Sequence, residues 1–447
     1  MGRCLLNIGN AILMVLAGVP LVLAYYWFLE NCDSEGVSPA ERPLEGAVFD
    51  LQTLTTPEAV CEYGIRYPAA FANVLFFFGI CVLFWILNIV QGSTWLIDPY
   101  WTFIPVMLAV YYRLHPTGEA DLQRGRMAMV AILTWSARLT HSYFRREEFQ
   151  FGAREDWRFA QYRANNPYSW WWMSLFVAYL SQQVMLFGIT LPLYHIYSDA
   201  SPWNAFDTAA MVLCMFGIGF ACTADSQLHQ YMVAKAEAKK NDEPFPVVLD
   251  TGVWRYSRRP NYFGEQCFWW GLWLFNAGQG YYYTVWGTVF NSFILWIVTD
   301  MTEKRMLSSR PKEYAEYMRR TSVWIPWFPA EGSASTTDED AAEEPEVADE
   351  AVDEAVDEAD STTVVVSPAK KAAPKSPQRS AGSVSSDAVE LTVVIAGVSK
   401  TPEEMTYNEL RKELKRRGLR AVGRKPELIE RMQEDLEREH SEGGSAS

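Results

Sequence analysis

Residues 251–271 read TGVWRYSRRPNYFGEQCFWWG, which sets Arg255, Arg258 and Arg259 beside Asn261, Tyr262 and Glu265 and then runs into an aromatic, membrane-like segment. Ionisable side chains at membrane depth are costly and as a rule face a cavity or a partner. A chain that places so many at the mouth of an apolar run is expected to build a polar pocket there.

The surrounding sequence supplies the membrane. The chain has 447 residues with 18 Trp, 22 Tyr and 24 Phe. A hydrocarbon layer of ~30 Å needs ~20 apolar residues to cross it, and runs of that kind fall near 8–29, 70–90, 95–112, 127–144, 170–195, 204–222, 264–280 and 284–301. The expected fold class is therefore all-α: a polytopic bundle of about eight spans over residues 1–330. The first run has no clear small-residue cleavage site after it and reads as a retained anchor.

Charge gives the orientation. Residues 1–330 hold 24 Lys and Arg against 27 Asp and Glu, whereas 331–360 hold 14 acids and no base, so the net charge of −15 is mostly one tail segment. With eight spans and a cytosolic N-terminus, 18 basic residues fall on the cytosolic side and 5 on the other; the positive-inside rule then puts both termini in the cytosol or nucleoplasm. The lumenal loop 30–69 carries Cys32 and Cys61, which can pair in an oxidising compartment. The other cysteines read as apolar packing residues.

Two more polar clusters share the face of the opening stretch. One, LTWSARLTHSYFRREEFQFGAREDWRF, holds Arg138 within a span and Arg158 beyond it; the other, ADSQLHQY, holds Asp225. Snorkelling at the headgroups accounts for Arg145 and Arg146 but not for Arg138, Asp225 and Glu265. Guanidinium forks bind phosphates, and carboxylates and amides take ribose hydroxyls or a carboxamide. This inventory suits a nucleotide. There is no Rossmann GxGxxG after a strand, no P-loop, no HExxH and no CxxC, so no metal site is expected.

Taken together, STWLIDPYW, WSARLTHSYFRR with EDWRF, ADSQL and TGVWRYSRRPNYFGE resemble the signature blocks of the steroid 5-alpha-reductase C-terminal superfamily, in its DUF1295 branch, over roughly residues 70–330. That resemblance implies a nucleotide-containing cosubstrate in a bundle cavity: NADPH for reductases of lipid or sterol-like double bonds (CH–CH groups), or S-adenosylmethionine for related methyltransferases. The family's last block usually has His where this chain has Arg259, and arginine exchanges no proton near neutral pH. Carried onto this sequence, the resemblance implies Arg158, Asp225, Arg258, Asn261, Tyr262 and Glu265 as cosubstrate ligands, with Arg138 and Arg255 as second choices. Tyr262, Glu265 and Asp98 are the candidates for proton donor. Trp269 and Trp270 read as an interfacial belt.

Beyond residue 330 the chain changes character. Residues 331–400, acidic and then rich in Ser, Pro and Lys, read as a disordered linker. In 401–440, Leu410, Leu414 and Leu419, then Leu428, Ile429 and Met432, give two short amphipathic helices that resemble a SAP domain. Arg411, Lys412, Lys415, Arg416, Arg417, Arg420, Arg424 and Lys425 make it basic, and the resemblance implies DNA or RNA as partner. The expected functions are an integral membrane oxidoreductase with a nucleic-acid-binding module, a membrane-anchored chromatin or RNA tether without activity, or a methyltransferase. The endoplasmic reticulum or nuclear envelope is the expected location.

Overall fold

The computed structural model describes residues 2–33, 37, 55–241 and 243–330, and beyond them 364–365, 393–395, 398–402, 410, 413–414, 417, 419 and 425–443. The chain divides into two units, residues 1–342 with 350–367, and residues 343–349 with 368–447.

The first unit is helical. Its elements are α1 (Gly2–Ala17), α2 (Val19–Asn31), α3 (Pro57–Arg66), α4 (Pro68–Phe76), α5 (Leu83–Gln91), α6 (Ile97–Leu114), α7 (Leu122–Arg146), α8 (Trp157–Asn165), α9 (Trp170–Ser174), α10 (Ser181–Ser198), α11 (Ala205–Asn241), α12 (Pro260–Gly278), α13 (Val285–Ser309) and α14 (Pro311–Arg320). Short π-helical stretches, Phe77–Val82 and Leu175–Leu180, join α4 to α5 and α9 to α10. Starts follow sequence signals. Proline opens α3, α4, α12 and α14, where its missing N–H costs nothing; Asp121 and Asp156 cap α7 and α8 through the amides of Arg124 and Arg158. The two-residue strand β1 (Arg154–Glu155) pairs antiparallel with β2 (Val364–Val365).

Among the described residues, four helical stretches are long and apolar enough to cross a membrane: Leu5–Asn31, Pro68–Gln91, Trp170–Ser198 and Ala205–Asn241. The other four expected runs form the helices α6, α7, α12 and α13 but fall short of this measure, which supports four of the about eight expected spans. The physical reason is their inner faces. These carry Asp98, Arg124, Arg138, Glu265 and Asn291 among tyrosines and tryptophans, which dilutes their apolarity.

Two backbone contacts organise the bundle. On α11, Ala210, Cys214, Gly217 and Ala221 form a small-residue stripe against Gly264, Cys267 and Gly271 of α12; a methyl added to Gly217 would sit 2.6 Å from the Gly264 carbonyl oxygen. Small residues let membrane helices pack backbone to backbone. The second contact is Gly188 of α10 against Gly287 of α13, where an added methyl would overlap the facing carbonyl. Trp269 is not interfacial: it is buried, edge-on to Trp135, which stacks flat on Phe268. Trp270 is half-buried, its indole N–H donating to Ser292.

The expected Cys32–Cys61 disulfide is present and ties the end of α2 to α3. Cys81, Cys214 and Cys267 are buried thiols, while Cys222 is exposed.

In the second unit, β3 (Val393–Ile395) and β4 (Val398–Lys400) form an antiparallel ladder, and α15 (Lys425–Gly443) follows. Leu410, Leu414, Leu428 and Met432 are buried together as expected, joined by Leu436, with Leu419 and Ile429 packed against them. Arg417 is committed inside this unit: it pairs with Glu413 at 2.8 Å and Asp435 at 3.1 Å. It is therefore removed from the expected phosphate-binding set. Arg411, Lys412, Lys415, Arg416, Arg420 and Arg424 lie outside the described residues, as does the side chain of Lys425 and nearly all of 331–400.

Candidate active site

Three of the predicted residues meet between α7, α11 and α12. Arg138 donates to Asp225 Oδ2 at 2.9 Å and to Glu265 Oε1, while the other Glu265 oxygen accepts from the indole of Trp135 at 2.8 Å. Ser142 completes Asp225 at 3.1 Å, and Arg145 donates to its backbone carbonyl at 3.2 Å. The small-residue packing of α11 on α12 brings Asp225 and Glu265 to one guanidinium. Glu265 is thereby an ion-pair partner, with both oxygens engaged.

A second group forms where α8 docks on the start of α6. Glu155 accepts from the Thr94 amide at 2.8 Å and its hydroxyl at 2.7 Å, and pairs with Arg163. This joins STWLIDPYW to EDWRF. Arg158 forks onto Asp156, Nε to Oδ1 at 2.9 Å and Nη2 to Oδ2 at 2.6 Å. Burial works to lower the Arg158 pKa, and the Asp156 charge and hydrogen bonds outweigh it, so the group stands above its ordinary value and stays charged.

These elements wall a cavity of about 280 Å³. Asp98, Asp156, Arg158, Arg146, Tyr143 and Tyr262 supply its polar end. Met185, Ile294, Leu295 and Val298 supply apolar wall, with Gln182 and Asn291 between them. The two helices that carry these apolar residues, α10 and α13, meet at Gly188 and Gly287.

Beside it lies a cleft of about 430 Å³, lined by Arg145, Arg146, Arg154, His229, Lys235 and Lys239, with Asp225 and Glu148 as its acids and Asn261 on one wall. Arg146 lines both spaces, and the consecutive residues Asn261 and Tyr262 line one each. The cleft exists because α11 runs for 37 residues. At 1.5 Å per residue that is about 55 Å, well beyond a hydrocarbon layer, so its last turns project lysines over the end of α7.

Two predicted ligands lie elsewhere. Arg258 is buried and donates to Glu303 at 2.7 Å and to the carbonyls of Met318 at 2.9 Å and Thr321 at 2.6 Å. It lines neither large space and fastens α14 to α12, so its role is corrected from ligand to clamp. Arg255 is exposed and also lines neither. Arg259, beneath the Tyr262 ring at 5.8 Å, faces a pocket of about 20 Å³ instead. Gly264 serves the helix contact rather than a ligand. Sequence reasoning missed Arg145, Arg146, Arg154, Lys235 and Lys239 as one group; the only signal was the basic count of this face.

The family described as a protein of unknown function, DUF1295, matches residues 84–321. This chain belongs to the DUF1295 family. It also carries a SAP domain at residues 401–437. An uncharacterized protein of Schizosaccharomyces pombe is 28% identical over 210 residues, covering 43% of this chain and 60% of that relative. The chain therefore spans less than two thirds of the relative's length. No solved structure matches. The matched segment contains every residue of both spaces and leaves out α1, α2 and the disulfide.

Proposed function

We propose that this DUF1295 chain is an integral membrane, NADPH-dependent reductase of a double bond in a lipid or sterol-like substrate, placed in the endoplasmic reticulum or nuclear envelope with both termini cytosolic or nucleoplasmic. The observation that carries the reading is the pair of spaces sharing Arg146: one basic, one with an acid end and an apolar wall. The donor set fits a phosphate-bearing dinucleotide. The buried Nε of Arg145, on the cleft wall, has no hydrogen-bond acceptor among the described residues, and buried donors left unmade are expensive. An anion in the cleft supplies acceptors. S-adenosylmethionine, the alternative cosubstrate, has no phosphate to meet five basic side chains.

When bound, the dinucleotide supplies a hydride. The protein's part is to orient and to handle the proton. Arg145, Arg146, Arg154, Lys235 and Lys239 hold phosphate charge, and Asn261 offers an amide for orientation. Tyr262 and Asp98, across the cavity from the apolar wall, are the groups able to hold a proton for the second carbon; a phenol or a neutral acid does this in a low-dielectric site. Met185, Ile294, Leu295 and Val298 exclude water from the substrate. Arg158, locked to Asp156, keeps positive charge where negative charge develops on substrate oxygen.

Titration of the purified full-length protein with NADPH and with S-adenosylmethionine, followed by tryptophan fluorescence, tests the reading. Saturable NADPH binding with product formation from an enone lipid is expected. Binding of S-adenosylmethionine alone transfers the chain to the methyltransferase reading. The SAP domain supports an added nucleic-acid contact; full-length protein with DNA bound but no reductase activity on any lipid would leave the tether alone.

A further inference from the structure

We infer that the N-terminal helix α1 is a latch that sets the shape of the basic cleft, with Asn7 and Asn10 as its positioning residues.

The segment between α7 and β1 holds an unusual backbone. Glu148 and Phe149 are consecutive non-glycine residues with φ of 50° and 56°, and Gly152 follows at 66°. Left-handed geometry costs an ordinary residue of order 1–3 kcal/mol and persists only where surroundings enforce it. The amides of Phe149 and Gln150 donate back to Phe144 at 3.0 Å and Glu147 at 2.8 Å, and the side chains that hold the rest of the segment are on α1. Asn7 accepts from the Phe151 amide at 2.5 Å and donates to the Phe149 carbonyl at 3.2 Å, so one side-chain amide serves both backbone groups as a neighbouring strand would. One turn on, Asn10 donates to the Phe151 carbonyl at 2.9 Å and accepts from Gln91 at 3.4 Å.

The latch has little else to do. Leu5, Leu6, Ile8, Ile12, Val15 and Leu16 of α1 are exposed as an apolar surface suited to lipid, and two asparagines in such a helix are costly unless paired. What they hold is bounded by cleft residues on both sides: Arg145, Arg146 and Glu148 before it, Arg154 after it. Gly152 lies against the latch itself, since a methyl there would come 2.6 Å from Asn10 Nδ2. When α1 is docked, the loop is bent and the arginines converge. When it is released, the strained residues relax to extended backbone and Arg154 separates from Arg146.

The inference rests on the cleft as a phosphate site, and the test separates the two. Full-length protein in lipid nanodiscs is compared with Asn7→Leu/Asn10→Leu, a double variant that leaves α1 wholly apolar, and with Gly152→Ala. Hydrogen exchange at the Phe151 amide, which donates to Asn7, reports the latch; affinity for adenosine 2′,5′-bisphosphate reports the cleft. Both variants are expected to exchange at least tenfold faster at the Phe151 amide and to bind about tenfold more weakly, with an unchanged Tm for the bundle. Adding Phe149→Gly to the double variant, which removes the penalty for left-handed geometry at an exposed position outside the cleft wall, is expected to restore part of the affinity, a rescue that a merely structural role would not show. Unchanged exchange in the double variant overturns the latch, as does unchanged affinity with accelerated exchange. Absence of adenosine bisphosphate binding in the parent protein overturns the phosphate site instead, and the exchange measurement still decides the latch.

Discussion

Gly188 of α10 and Gly287 of α13 touch backbone to backbone, and a methyl added to Gly287 would overlap the Gly188 carbonyl. The same two helices supply Gln182, Met185, Asn291, Ile294, Leu295 and Val298 to the cavity with Asp98 and Tyr262. Gly287→Val is expected to push them apart, lowering Tm and abolishing substrate reduction while NADPH binding in the basic cleft persists. Comparing thermal melts and cofactor titrations of the variant checks this.

The Arg138, Asp225 and Glu265 network gives the second prediction. Removing one partner of a buried ion pair leaves an uncompensated charge and costs about 3–5 kcal/mol. Arg138→Ala is expected to destabilise by that order, with two carboxylates left facing each other. Arg138→Met/Asp225→Asn/Glu265→Gln, which leaves no charge behind, is expected to recover most of the loss in denaturant melts.

Arg145→Ala is expected to weaken NADPH binding by roughly 1.5–3 kcal/mol, the scale of a hydrogen bond to a charged group, and Lys239→Ala by less. Arg258→Ala should act differently: it is expected to lower Tm through loss of its Glu303, Met318 and Thr321 contacts. Titration and melting of the three variants tell a ligand from a clamp.

A fourth expectation concerns acid. At the start of the loop after α10, burial raises the Asp199 pKa, but hydrogen bonds from Ser201 and Tyr281 outweigh it and leave it below its ordinary value. A carboxylate with a depressed folded pKa contributes stability above its unfolded value of about 3.9, and that stability is lost as pH falls through the folded value. Asp199→Asn is therefore expected to flatten the pH dependence of Tm below about pH 4.

Much of this was readable from residues alone. Hydropathy located the four helical stretches apolar enough to span a membrane, because apolar length is a local property, and the cost of charge at membrane depth singled out Arg138, Asp225 and Glu265. Arg258 was misread because the carboxylate and carbonyls that occupy it come from α13 and α14, 45 to 63 residues away, and no spacing announces them. In the sequence Lys235 and Lys239 entered only the count of basic residues on the cytosolic side. They become part of a cleft only because α11 does not stop at the membrane surface. Arg145 and Arg146 suit headgroup contact just as well as a cleft wall, and sequence cannot choose between these. Arg417 was counted among phosphate ligands because charge sign is visible in sequence and ion pairing across a fold is not.

The unbroken length of α11 has a mechanical outcome. A helix has no joint, so the depth and tilt at which its apolar first half settles among lipid tails fix the height of Lys235 and Lys239 above the headgroups. Hydrophobic stretches adjust to bilayer thickness largely by tilting, and about 30 Å of lever turns a 10° tilt into a displacement of about 5 Å at the far end. A thicker bilayer and a thinner one thus present the same lysines to the end of α7 at different separations.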